Sequence, residues 1–225
     1  LHNFIKICAS AFVISLLLGC GNGVNIDTVD KSYTSDTITA NVKIPQLKGL
    51  ASKDLEETIN EEFLTVTSEL LDKFSESAKK TGEQSLFDME TTAHFNKNGL
   101  LSMVTDYESF ARKSHKSRFR IAKNIDTKAC LELSLSDLFD GDSYIDALNK
   151  LLVDSISEDP EKYADIWAKP KILQNQGFYI DGENLVIFYP PYELSYYERG
   201  FVEIPVPLDE VLTYLKPEYR EIFTG

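Results

Sequence analysis

Between Leu55 and Phe74, Leu55, Ile59, Phe63, Val66, Leu70 and Phe74 recur every three or four residues. Glu56, Glu57, Glu61, Glu62 and Lys73 fill the positions between them. This period puts the apolar side chains on one stripe of a helix and the charges on the other. The spacing predicts a helix from Lys53 to about Lys79. Ser52 is placed to cap its N-terminus, and Asp54, Glu56 and Glu57 lie where negative charge suits the helix dipole. So long an apolar stripe requires a sheet or a second helix to cover it, and the flanking sequence supplies a sheet.

Upstream, Ile38, Ala40, Val42 and Ile44 alternate with polar residues as a half-buried strand ending at Pro45. Downstream, from Leu86 to Leu133, the period is again two. Phe87, Met89, Thr91, Ala93 and Phe95 lead into Asn98-Gly99, a tight hairpin signal, and the return runs through Leu101, Met103, Val104, Tyr107 and Phe110. Phe119, Ile121 and Ile125, a turn at Asp126-Thr127-Lys128, and Cys130, Leu131 and Leu133 give two more strands. Four strands on short turns form an antiparallel sheet. A second helical stripe follows at Ile145, Leu148, Leu151, Leu152 and Ile156. Asp159-Pro160 predicts a short helix reaching Trp167. Phe178 to Tyr189 turns back at Asp181-Gly182, Val202, Ile204 and Val206 alternate, and Leu208 to Leu215 predicts a closing helix before Pro217. Strands and helices in separate runs define an α+β domain, residues 34–225, with sub-lobes at 34–133 and 134–225 as an alternative division.

The N-terminus carries a different kind of signal. Lys6 precedes an uncharged apolar run, Ile7 to Leu18, that is too short for the about 20 residues a membrane span needs but fits a signal-peptide core. The run ends in Leu17-Leu18-Gly19-Cys20, which resembles the lipobox of bacterial lipoproteins. The expectation is a signal peptide over 1–19, a lipidated, palmitate-bearing Cys20 as membrane anchor, and a flexible polar tether over 20–33. Cys8 would leave with the leader, so Cys130 would have no disulfide partner and is expected as a small buried apolar residue. The formal net charge of −13, one unit more negative without Lys6, argues against nucleic acid and favours a basic partner.

Catalytic groups are few. Apart from the leader, the histidines are His94, in a predicted strand, and His115, within the basic stretch Arg112–Arg120. Neither belongs to a zinc pattern, and there is no nucleophile elbow or phosphate-binding glycine loop. No cofactor is called for. Asp140-Gly141-Asp142 with Asp146 lacks the rest of a calcium loop and reads as a solvated helix start. The basic stretch could read an acidic polymer or be a water-facing strand neutralised by nearby acids. A pair of carboxylates remains a possible basis for a cell-wall glycan hydrolase. The densest recognition signal is aromatic: Phe188, Tyr189, Tyr192, Tyr196 and Tyr197 crowd around Pro190-Pro191, as an exposed recognition loop or as a cluster packed beneath the bend.

Two segments carry a family resemblance. Leu133-Ser134-Leu135-Ser136-Asp137-Leu138-Phe139 is one. The other runs from Phe178-Tyr179-Ile180 through Leu185-Val186-Ile187-Phe188 and Pro191-Tyr192-Glu193-Leu194 to Gly200-Phe201-Val202-Glu203-Ile204-Pro205. Together they resemble the ectodomain of lysozyme-sensing anti-sigma factors, a domain of unknown function also found beside peptidoglycan deacetylase domains and in bacterial lipoproteins. The resemblance implies a non-catalytic antiparallel sheet packed by helices at the cell envelope. It also implies lysozyme binding through Pro191 and Tyr192. Where the family often has Gly-Gly-Ala-His, this chain has Ala111-Arg112-Lys113-Ser114-His115, keeping the histidine alone. The resulting expectation is a lipid-anchored binder on the extracytoplasmic face of the cell membrane. Its ligand would be a lysozyme-like basic protein or a peptidoglycan fragment, with Pro191, Tyr192, Tyr196, Tyr197 and His115 as candidate contacts. The alternatives are a glycan hydrolase and an accessory subunit of a membrane complex.

Overall fold

The computed structural model describes residues 23–111 and 116–224. The chain enters through β1 (Asn25–Asp30), a short β2 (Tyr33–Thr34), β3 (Ile38–Asn41) and β4 (Lys43–Lys48), then the long helix α1 (Lys53–Thr81). The expectation of a flexible tether over 20–33 is corrected for its described residues, which begin at Gly23. Asn25–Asp30 pairs antiparallel with β4 along its whole length, and Val24 is buried, exchanging hydrogen bonds with the Asn96 amide. Nor does Pro45 end the strand. It sits inside β4 opposite Thr28, in a two-stranded ribbon whose outer edge asks for no N–H from it.

Helix α1 begins as expected: the Ser52 hydroxyl accepts from the Leu55 N–H at 3.2 Å. The Glu56 carboxylate also accepts the N–H groups of Gly49 and Leu50. The helix stops at Gly82, whose left-handed φ of 63° lets its N–H reach the Ala78 carbonyl. Strands β5 (Ser85–Lys97), β6 (Leu100–Ala111), β7 (Ser117–Asp126) and β8 (Leu131–Glu132) then form an antiparallel meander. The β5–β6 turn has positive φ at both Asn98 and Gly99, the geometry that the Asn-Gly pair favours. With β2 and β3 the sheet has six strands, in the order β2-β3-β5-β6-β7-β8. Its single parallel pair, β3 with β5, follows from the crossover through β4 and α1.

The second half contributes α2 (Ser143–Glu158), a three-stranded sheet of β9 (Gly177–Asp181), β10 (Asn184–Tyr189) and β11 (Val202–Pro207), and α3 (Pro217–Thr224). The class is α+β. Helix α1 covers one face of the large sheet through Ile59 and Phe63. The opposite face, at Val104, meets Tyr179, Val186 and Phe188 of the small sheet, whose far side buries Leu185, Ile187 and Ile204 with Leu148 and Leu152 of α2. The outer edge of β9 is closed by side chains. The Ile180 N–H donates to the Ser102 hydroxyl at 2.8 Å, and the Asn124 amide donates to the Phe178 carbonyl at 3.0 Å.

Three further expectations are corrected. No helix forms between Asp159 and Trp167: turns run from 160 to 165, because Asp159 already ends α2 and Tyr163 is drawn into the core. Leu208–Leu215 makes two single 3-10 turns, Leu208–Glu210 and Leu212–Tyr214, and the closing helix begins at Pro217, a residue suited to a first helical position. Cys130 is not a core residue. It lies half-buried in the β7–β8 turn at φ 56°.

Candidate functional site

Strand β10 ends at Tyr189, whose buried ring donates its hydroxyl to the Lys171 carbonyl and whose phenol burial pushes upward. The chain then reverses over Pro190-Pro191-Tyr192-Glu193, closed by the Glu193 N–H on the Pro190 carbonyl at 3.2 Å. Proline presets the second position of such a turn. The third position is left-handed here, φ 73° at Tyr192, a place that type II turns normally give to glycine or asparagine. Tyr192 is 68% exposed, so no burial of its ring requires this geometry. A non-glycine residue held there stores about 1–2 kcal/mol.

The turn is rigid because its far side is anchored. Leu194 and Ser195 are buried, and the Trp167 N–H donates to the Leu194 carbonyl at 3.0 Å. The Ser195 hydroxyl donates to the Asp165 carboxylate at 2.8 Å, and the Arg199 guanidinium pairs with the same carboxylate and reaches the Lys162 carbonyl. Residues 162–167 and 194–199 are thereby held together. The result places Trp167, 55% exposed, against Tyr196, 49% exposed, with ring centroids 5.2 Å apart and planes 77° apart. Tyr192 leans on Tyr197 at the same centroid distance, 5.2 Å.

Beyond Tyr197 the loop is fastened to β7. The Arg118 guanidinium donates to the carbonyls of Tyr197 and Glu198, and the Arg118 backbone N–H donates to the Tyr197 hydroxyl at 3.0 Å. Gly200 passes so close over Arg118 that a Cβ would lie 3.3 Å from its Nη1, at φ 83°. Behind this crossing lies a groove of about 460 Å³ lined by Glu90, Asp106, Glu108, Arg118, Arg120 and Glu203, among others. Arg120 is almost wholly buried between the rings of Phe188 and Phe201. It makes a bidentate pair with Asp106, at 2.6 and 2.8 Å, and a further bond to Glu203. Burial disfavours its charge, but these partners outweigh it and hold the guanidinium pKa above its ordinary value. Bonds from Lys116 and Arg118 hold the Glu108 carboxyl low.

Of the residues singled out from the sequence, the fold gathers Pro191, Tyr192, Tyr196 and Tyr197 on one surface. Tyr192 and Tyr196 are exposed, and Tyr197 is half-buried with its hydroxyl committed to Arg118. His94 stands elsewhere. It is the extra residue of a bulge in β5, its ring 4.3 Å from that of Tyr179 and its Nδ1 3.8 Å from Asp181. His115 and Cys20 lie outside the described residues. In the described part of the basic stretch, Lys116, Arg118 and Arg120 each pair with a carboxylate, so the stretch is neutralised, with Lys116 half-exposed and Arg120 almost wholly buried. Asp142 is the N-cap residue of α2 and Asp146 lies in its first turn. Among the described residues, no group of three or more His, Cys, Asp or Glu is placed to hold a metal ion, and no helix is long and apolar enough to cross a membrane. Sequence reasoning missed Trp167. The available signal was a lone tryptophan, the only one in the chain, in a segment without apolar periodicity.

This four-layer α+β fold is also found in solved bacterial proteins. One from Bacteroides fragilis superposes with a TM-score of 0.66 at 16% identity, covering 88% of this chain and 96% of that one. One from Pseudomonas aeruginosa gives 0.63 at 13%, covering 89% and 98%. Both are members of the DUF3298 family, and residues 136–209 match the model of that family of proteins of unknown function. The chain is also 32% identical over 206 residues to the anti-sigma-V factor RsiV of Bacillus subtilis, covering 86% of this chain and 71% of the relative. The chain belongs to the DUF3298 family.

Proposed function

We propose that this domain is a non-catalytic extracytoplasmic binding domain that recognises a basic, cell-wall-active protein of the lysozyme kind through the Pro190–Tyr197 loop. The observation that carries the reading is Tyr192: an aromatic ring two-thirds exposed on a backbone held in a costly conformation by a turn anchored on both sides. Strain kept at an exposed residue, whose one ring contact is with Tyr197 of the same loop, points to a ligand. The net charge of −13 steers basic partners toward the domain. Kinship to an anti-sigma factor supports a sensing role. In this reading the apolar leader directs export, and lipid on Cys20 holds the domain at the outer face of the membrane.

Three of the five acids lining the groove, Asp106, Glu108 and Glu203, are engaged by Arg118 or Arg120, which supports binding over glycan hydrolysis. Calorimetric titration of the protein with lysozyme and, separately, with muropeptides tests the proposal. Lysozyme should bind, and Tyr192→Ala should weaken it at least tenfold without altering the circular dichroism spectrum. A folded protein that gives no heat with lysozyme sinks it.

A further inference from the structure

We propose that Trp167 and Tyr196 form a second anchor for the partner of the Pro190–Tyr197 loop, and that this anchor takes an arginine or lysine side chain of a basic protein. The inference rests on the binding role of the loop proposed above. It adds a pair of residues from two distant segments and the chemistry they select.

Three observations converge on it. First, the two rings are half-exposed and meet edge to face at 77°, so they form an aromatic corner at the surface. Such a corner suits a compact cation, which is drawn to the negative face of an aromatic ring, most strongly to that of tryptophan. Second, residues 159–169 and 190–199 carry five carboxylates against three cationic side chains, and the Arg199 charge is taken up by Asp165. The surroundings of the corner are therefore net negative. Third, the corner is built in advance. Asp165 binds Ser195 and Arg199, and the Trp167 N–H binds Leu194, so ordering Trp167 costs the partner little.

The test is calorimetric titration of lysozyme into the wild-type protein, Trp167→Ala, Trp167→Leu, Trp167→Tyr and Tyr192→Ala, with muropeptides as a second titrant. Trp167→Ala and Trp167→Leu should each weaken lysozyme about tenfold, while Trp167→Tyr, which keeps a ring face, should stay within about threefold. Equal loss in Ala and Leu assigns the effect to the ring and not to apolar area. If Tyr192→Ala weakens binding and Trp167→Ala matches wild type, the second anchor is wrong and the loop reading stands. If Trp167→Leu binds like wild type, the cation is wrong. If wild type takes muropeptides through Trp167 and ignores lysozyme, the surface is a glycan site, and both proposals fall.

Discussion

Lys123 is the most telling residue for how this fold is held. Its side chain on β7 is 6% exposed, and its ammonium group donates to Glu62 of α1 at 2.7 Å and to Glu132 of β8 at 2.8 Å. Burial opposes its charge, but the two carboxylates outweigh that and raise the pKa above the ordinary lysine value. Lys123→Met keeps the stem and deletes the charge. Because Glu62 and Glu132 are about two-fifths exposed, water rehydrates both, and the loss should be about 1–2 kcal/mol, well short of the about 3–5 kcal/mol seen when a fully buried pair is broken. Lys123→Ala also removes three buried methylenes, at about 0.8 kcal/mol each, for a total near 4 kcal/mol. For a domain of this size that lowers Tm by roughly 8–16 °C, against roughly 2–8 °C for Met. A lysine whose folded pKa is raised stabilises fully below its unfolded value, about 10.4, and loses that contribution as pH rises through the folded value. The gap between Lys123→Met and wild type should therefore be constant from pH 6 to 9 and close only in strong alkali. Urea unfolding followed by Trp167 fluorescence measures this. A gap that closes at neutral pH, or Ala and Met variants that are equally stable, would refute the reasoning.

Glycine at Tyr192 should trade function for stability: Tyr192→Gly relieves the left-handed backbone, keeping Tm within about 2 °C of wild type or above it, while lysozyme binding is lost. Differential scanning fluorimetry and calorimetry together check both halves. Burial raises the Glu193 carboxyl pKa, so this group destabilises the fold as pH rises through its folded value. Glu193→Gln should match wild type in acid and exceed it in Tm at neutral pH, as a thermal series from pH 4 to 8 would show. A Cβ on Gly177 would lie 2.5 Å from the Phe188 ring, which is wedged against Arg120, so Gly177→Ala should cost about 1–3 kcal/mol in urea unfolding.

What could be read from the sequence followed from period and capping. The stripe of α1, the Asn98-Gly99 hairpin and the α2 stripe each depend on neighbours within a few residues, and the structure has them. What escaped depends on distant contacts. The alternation Phe87, Met89, Thr91, Ala93, Phe95 looks continuous, yet the bulge at His94 shifts the register, so Phe87 and Met89 face the α1 core while Phe95 joins the α2 core. A one-residue insertion flips every later side chain, and nothing local announces it. Strand β1 was hidden because its residues are exposed or half-buried and its partner lies across β2 and β3. The exposed Pro-Tyr turn was legible as a cluster. Its companion Trp167 was not, since Asp165 joins the two segments across 30 residues and more.

That separation bears on how the surface works. Binding through a loop costs the entropy of ordering it, about 0.5–1.5 kcal/mol for each immobilised side chain. Here the fold has already met that cost. Ser195 and Arg199 fix one side of the loop on Asp165, Arg118 fixes its end on β7, and Pro190-Pro191 stiffens its start. The same fastening keeps Tyr192 in its left-handed conformation, because a loose loop would relax it. Rigidity and strain at the tip are thus one property, and a variant that releases the clasp should lose both. Asp165→Ala, which touches neither exposed ring directly, should weaken lysozyme binding mainly through a less favourable binding entropy. An Asp165→Ala protein that binds with wild-type entropy would mean that the clasp orders nothing the partner uses.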